Sequence, residues 1–242
     1  MNEITRSLKN RKSVRVFREI EIDEKIKEEI LLCAVNAPTA GNQQLYTILD
    51  IRNKELLARL SVTCDNQPFI ADSKFTLIFC ADFRKWYDAF IFTGCEPRVP
   101  REGDLMLAVN DAVIAAQNAV CAAESFGIGS CYIGDIMENC EIHREMLQLP
   151  EYVFPVAMLV FGYPEESQIR RTKPERADMK HIVHRDTYRT MEKDELEELF
   201  GIKAKEKSYE DWMKAFCNRK YNSDFAKEMS RSVAKYIEQW KD

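Results

Sequence analysis

Residues 105–126 read LMLAVNDAVIAAQNAVCAAESF, a stretch that is small and apolar almost all the way round. A helix that is apolar on every side has to be covered on every side. A chain of 242 residues with a modest sheet offers little to do this, so the stretch predicts a helix at a subunit interface. Ala108, Ala112, Ala115 or Ala116, Ala119 and Ala123 recur at helical spacing among Val and Ile, and small residues let a partner helix approach closely. Gly127 then closes the helix, as a glycine after a helix C-terminus does. Upstream, Asp23 caps EKIKEEILLCAV, a helix with Ile26, Ile30 and Ala34 on one face, which runs out at Pro38. Leu45 to Ile51, Phe75 to Ala81 and Val153 to Phe161 are short, apolar and rich in strand formers, so they predict buried strands. Beyond Tyr188 the composition turns to charged helical segments, Asp194 to Phe200 and Phe225 to Trp240. The division predicted is one domain over 1–188 and a helical C-terminal arm over 189–242.

Composition narrows the function classes. The formal net charge is -5 and aromatics make up 10% of the chain, which argues against the broad positive surface that nucleic acid requires. Eight cysteines show no C-x-x-C spacing and mostly fall in apolar segments, a pattern that suits a reducing cytoplasm. The first nine residues lack the apolar core of a signal peptide, and no apolar run looks long enough for a membrane span, so a cytoplasmic protein without a membrane partner is expected. His143, His181 and His184 give no metal-ligand pattern.

Against this acidic background stands Arg11-Lys12-Ser13-Val14-Arg15, answered far along the chain by Arg170, Arg171, Lys173 and Arg176. Two guanidinium forks with a hydroxyl between them suit a single phosphate. The stretch Ala37-Pro38-Thr39-Ala40-Gly41-Asn42-Gln43-Gln44 is rich in side-chain amides, and Gln67 stands before Pro68; an amide donates and accepts at once, as an O/N-edged heterocycle requires. Gly127-Ile128-Gly129 is no dinucleotide fingerprint, because it follows a helix rather than opening one.

Four segments, Arg11 to Arg15, Ala37 to Gln44, Tyr132-Ile133-Gly134-Asp135 and Lys173-Pro174-Glu175-Arg176, resemble in order and spacing the FMN-dependent nitroreductase family from about Ser7 to Tyr188. The resemblance implies an α+β fold with a central mixed or antiparallel sheet flanked by helices, built as an intimate homodimer with FMN at the subunit interface. It implies ping-pong hydride transfer through flavin N5, with NADPH or NADH as donor and a nitroaromatic, quinone or flavin as small-molecule acceptor. No side chain of this chain need be catalytic. By the same resemblance, Arg11, Lys12, Ser13 and Arg15 hold the FMN phosphate, and Lys173 or Arg176 closes the cage. Thr39, Asn42 and Gln44 lie along the ribityl chain and ring edge, and Gln67 lies over the ring. Tyr132, Ile133, Gly134 and Asp135 pass the ring, with Gly134 letting the backbone near N5. Where the family often has Lys-Pro-Arg this chain has Lys-Pro-Glu-Arg, so Arg171, Lys173 and Arg176 all stand as candidates. Two other functions remain open: a specialised reaction on the same fold, such as reductive dehalogenation, and a flavin-binding redox sensor that uses its cysteines.

Overall fold

The computed structural model describes residues 2–204 and 208–241. Met1, Asp242 and residues 205–207, which fall within the ranges 1–188 and 189–242 predicted above, lie outside the described residues. The elements in chain order are α1 (Glu3–Asn10), α2 (Glu24–Val35), β1 (Tyr46–Asp50), α3 (Lys54–Thr63), β2 (Phe75–Asp82), α4 (Arg84–Phe92), α5 (Glu102–Ser125), β3 (Gly129–Ile133), α6 (Cys140–Leu147), β4 (Val153–Gly162), α7 (Glu166–Arg170), α8 (Lys193–Gly201), α9 (Tyr209–Lys220) and α10 (Asp224–Ile237). The four strands form one antiparallel sheet in the order β1-β2-β4-β3. β2 and β4 occupy its centre and are buried along their whole length, which is why both read as unbroken apolar runs. The three strands expected from sequence are present to within a residue at each end, and Asp23 caps α2 by accepting from the Lys25 amide.

The helix that the 105–126 stretch predicts is α5, but its faces are reversed from the expectation. Ala108, Ala112, Ala115, Ala116, Ala119 and Ala123 are fully buried within this chain, where α5 lies on the sheet. The small residues bring the helix close to its own strands rather than to a partner. The branched and long side chains Met106, Leu107, Val113 and Ile114 are the exposed ones, as are Leu32 and Val35 on α2, the helix packed beside it. By length and composition α5 could cross a membrane, contrary to the sequence expectation that no run approaches that length, yet half of it is buried in the fold as a core helix would be. Gly127 ends it at φ 72°, with the Gly127 amide donating to Glu124 O and the Ile128 amide to Ala123 O, the paired bonds of a Schellman cap.

The chain divides into two compact units, Met1–Thr172 with Met229–Asp242, and Lys173–Glu228. This differs from a boundary near Tyr188. The end of the segment read as an arm is core: Tyr236 and Trp240 are fully buried, Tyr236 edge-on to Phe154 at 5.0 Å and Trp240 edge-on to Tyr152 at 5.3 Å. Ser232 Oγ accepts the Cys140 amide at 2.9 Å, so this helix also caps α6.

Candidate functional site

The basic segment Arg11 to Arg15 is pinned along the outer edge of β3 and onto the end of β4. The Val14 amide donates to Ser130 O at 2.9 Å and the Arg18 amide to Tyr163 O at 2.8 Å. Two glycines make this contact possible. A Cβ at Gly129 would stand 2.5 Å from Val14 Cγ2, and one at Gly162 would stand 2.6 Å from Phe17 Cδ1; neither distance is tolerable, so the sheet must be bare at both points. A second brace comes from the 166–171 turn. Lys12 Nζ donates to the carbonyls of Ile169, at 2.7 Å, and Arg171, while the Arg171 guanidinium donates back to Ser13 O. Lys12 and Arg171 therefore shape the segment, with their side chains spent on backbone carbonyls.

Arg11, Ser13 and Arg15 turn to the other side. Arg11 Nη2 donates to Ser130 Oγ at 3.4 Å, and its guanidinium lies 5.6 Å from the centre of the Tyr132 ring. Its Nε is buried and meets no acceptor among the described residues. Arg15 lies 5.9 Å from the centre of the Phe69 ring, which brings the Gln67 turn to the same place. Burial pushes the Cys131 thiol on β3 up, while Arg15, the Ser13 hydroxyl and Arg11 pull it back. Burial also pushes the Tyr132 phenol up to about 12; it stays neutral and donates to Gln117 Oε1 at 3.3 Å.

Gln67 and the Tyr132–Asp135 segment meet this cluster through α3. The Gln67 amide nitrogen donates to Cys64 O at 2.8 Å. His143, fully buried, bridges Ile136 O (3.0 Å) and Thr63 Oγ1 (2.8 Å), and Asn139 Nδ2 reaches Thr63 O at 2.9 Å. A carbonyl can only accept, so Nδ1 carries the proton and Nε2 takes the Thr63 hydroxyl. Burial holds the His143 pKa below its ordinary value and keeps the ring neutral in this role. Gly134 is exposed, and a Cβ there would meet only Met137 Cε at 4.0 Å; packing within the chain does not require glycine at this position.

Thr39, Asn42 and Gln44 are elsewhere. Their loop hangs on Asp111, a carboxylate 2% exposed in the middle of α5 that accepts from Thr39 Oγ1, from the Ala40 amide at 2.9 Å and from the Leu45 amide at 3.1 Å. Gln44 spends its amide on Val35 O at 3.2 Å. Asn42 is exposed at φ 57°. Tyr46, just after the loop, is level with Ala81 and Phe154, whereas Ser130 is level with Phe161, at the other edge of the sheet. Seven residues along a strand and three strand spacings across put the two places roughly 25 Å apart. Lys173 and Arg176, expected at the same phosphate, fall in the second unit, Arg176 exposed. Asp111 and His143 were not anticipated as site residues: one acid inside an apolar helix and one isolated histidine carry no spacing signal.

Residues 8–163 match the sequence profile of the Nitroreductase family. The chain belongs to the nitroreductase family. A curated relative, an FMN reductase [NAD(P)H] of Bacillus subtilis (strain 168), is 30% identical over 98% of this nitroreductase and 92% of its own length. A CR(VI) reductase of Pseudomonas sp. (strain G-1) is 29% identical, over 95% of this chain and 90% of its own. Among solved structures, a putative oxidoreductase from Bacteroides fragilis superposes with a TM-score of 0.87 at 25% identity, covering 98% of this chain and 100% of that one. The eight cysteines of the nitroreductase are all free, four exposed and four buried, so fewer are buried than their apolar sequence surroundings suggest. Burial pushes the Cys64 and Cys80 thiols up, Cys80 to about 12, which leaves neither as a ready thiolate.

Proposed function

We propose that this nitroreductase is an FMN-dependent NAD(P)H oxidoreductase whose flavin lies between two copies of the chain, one supplying Arg11, Ser13, Arg15, Gln67 and Tyr132 to Asp135, the other supplying the 39–44 loop. The separation of these two groups carries the reading. By sheet register the end of the loop at Tyr46 lies roughly 25 Å from Ser130 and roughly 20 Å from Ile133, which is level with Met158, a span that one chain does not close around a single flavin mononucleotide. Met106, Leu107, Val113 and Ile114 are exposed on one face of α5, and Leu32 and Val35 are exposed on the neighbouring α2; these are the apolar side chains that an obligate homodimer covers.

The donor set fits FMN. The buried Arg11 Nε, without an acceptor among the described residues, the Ser13 hydroxyl and the Arg15 guanidinium offer donors to one terminal phosphate. Gly134 offers bare backbone where its own chain makes no use of the space. Bound FMN supplies the hydride chemistry. The chain supplies orientation: Tyr132 stays neutral, Asn42 presents an amide, and the His143–Thr63–Asn139 ties fix the 134–138 turn against α3. NADPH or NADH gives the electrons and a small molecule receives them. The names of relatives, which include reducers of flavin and of Cr(VI), favour a broad acceptor range.

The purified protein is expected to release FMN rather than FAD on heating, because one basic cluster suits one phosphate. Chromatography of the released chromophore decides the matter. FAD, or no flavin even after soaking with FMN, would contradict the proposal.

A further inference from the structure

We infer that Asp111 is a positioning residue that sets the cofactor-facing loop at residues 39–45 from the same helix whose outer face meets the second copy. The inference rests on the proposed function, in that Asn42 on this loop is taken to touch FMN.

Part of the loop's path needs support from outside it. Gly41, Asn42 and Gln44 take φ of 55°, 57° and 51°, a left-handed region that Gly and Asn adopt readily but a Gln holds only under constraint. The constraint is one carboxylate. Asp111 Oδ1 takes the Ala40 amide, and Oδ2 takes both the Thr39 hydroxyl and the Leu45 amide, so the first and last residues of the loop are clasped to one atom. The Thr39 hydroxyl also accepts the Gln44 amide at 2.8 Å, which extends the hold inward. A 2%-exposed carboxylate is costly unless its lone pairs are filled, and here the loop fills them; burial therefore specifies the loop conformation.

Asp111 sits on α5 between two other duties of that helix. Ala108, Ala112 and Ala115 fix it on the sheet, and Leu107 and Ile114, one turn to either side of Asp111, are exposed on the face assigned to the second copy. A helix is stiff over these few residues, so covering that face holds the carboxylate, and the carboxylate holds Asn42. Flavin affinity and subunit association are thereby linked through one side chain.

Asp111→Asn preserves volume but places an amide nitrogen where Oδ2 now accepts two donors, or else turns it toward the Ala40 amide. Thr39→Val removes the hydroxyl from the clasp and leaves the helix untouched. Both variants are measured for flavin dissociation constant, for the visible spectrum and midpoint potential of bound FMN, for mass by light scattering and for thermal midpoint; where Asp111→Asn does not fold, Thr39→Val carries the test. The expected result is a folded dimer whose FMN affinity falls by about tenfold or more, with a displaced flavin spectrum or potential. In combination with Asn42→Ala the losses should fall short of additive, because Asp111 acts through that residue. Wild-type FMN affinity, spectrum and potential in both variants, with only the thermal midpoint lowered, would overturn the inference and reduce Asp111 to a structural group. A wild-type protein that binds no flavin overturns the proposed function, and this inference with it.

Discussion

Replacing Ala115 with Asp is expected to abolish the folded protomer, whereas Asp at Val113 or Ile114 should leave the protomer folded and separate the two copies. Ala115 has no exposed surface in the protomer, where α5 packs on the sheet and against α2, so an unpaired carboxylate there costs several kcal/mol. That is comparable with the whole stability of a domain, about 5–15 kcal/mol. Val113 and Ile114 are 39% and 38% exposed in one chain. A charge at either position meets water in the monomer and, in the proposed dimer, is buried on association, so its cost is expected to fall on the dimer. Circular dichroism and light scattering on the variants separate the two effects. A soluble, folded Ala115→Asp monomer would show that the alanine face packs against another chain after all.

Arg11→Ala and Arg15→Ala should release flavin with little loss of fold. On the proposed reading each removes a charge-assisted contact to one phosphate, at a cost of about 1.5–3 kcal/mol, or roughly tenfold to a hundredfold in affinity. The larger loss is expected at Arg11, whose Nε is already desolvated and finds no acceptor among the described residues. Arg15 is exposed and lies against the Phe69 ring. Dilution followed by flavin fluorescence measures both. Full occupancy after dilution in either variant would place that guanidinium on a solvated face.

The central strands were legible because burial on both faces leaves a continuous apolar run, as in Phe75 to Asp82 and Val153 to Gly162. β3 was not, because Gly129-Ser130-Cys131-Tyr132-Ile133 is short and begins with a glycine that serves the close passage of Val14 rather than the strand. The existence and length of α5 could be read from its composition, but its orientation could not. Alanine permits close approach to any neighbour, and periodicity alone does not say whether that neighbour is the chain's own sheet or a second helix. The end of the chain misled for a related reason: Tyr236 and Trp240 are two buried anchors set among charged residues, and composition averaged them away. At the candidate site, Arg11, Ser13 and Arg15 stand out in the sequence because three donors in five residues have a shared chemical meaning. Lys12, in the same run, has a different fate, since alternate residues of an extended segment point to opposite sides and its ammonium goes to the 166–171 turn. Asp111 was hidden because the residues it organises are more than sixty positions away.

The account stands on one flavin being shared by two chains, and mass and flavin content measured on a single chromatographic peak test it most directly. Light scattering with visible absorbance at the eluting peak should give twice the 28.2 kDa of one chain, with FMN present on that species and lost from any monomer produced by Val113→Asp. A 28.2 kDa species that keeps its FMN would contradict it, because one chain would then hold the cofactor without the second copy's 39–44 loop.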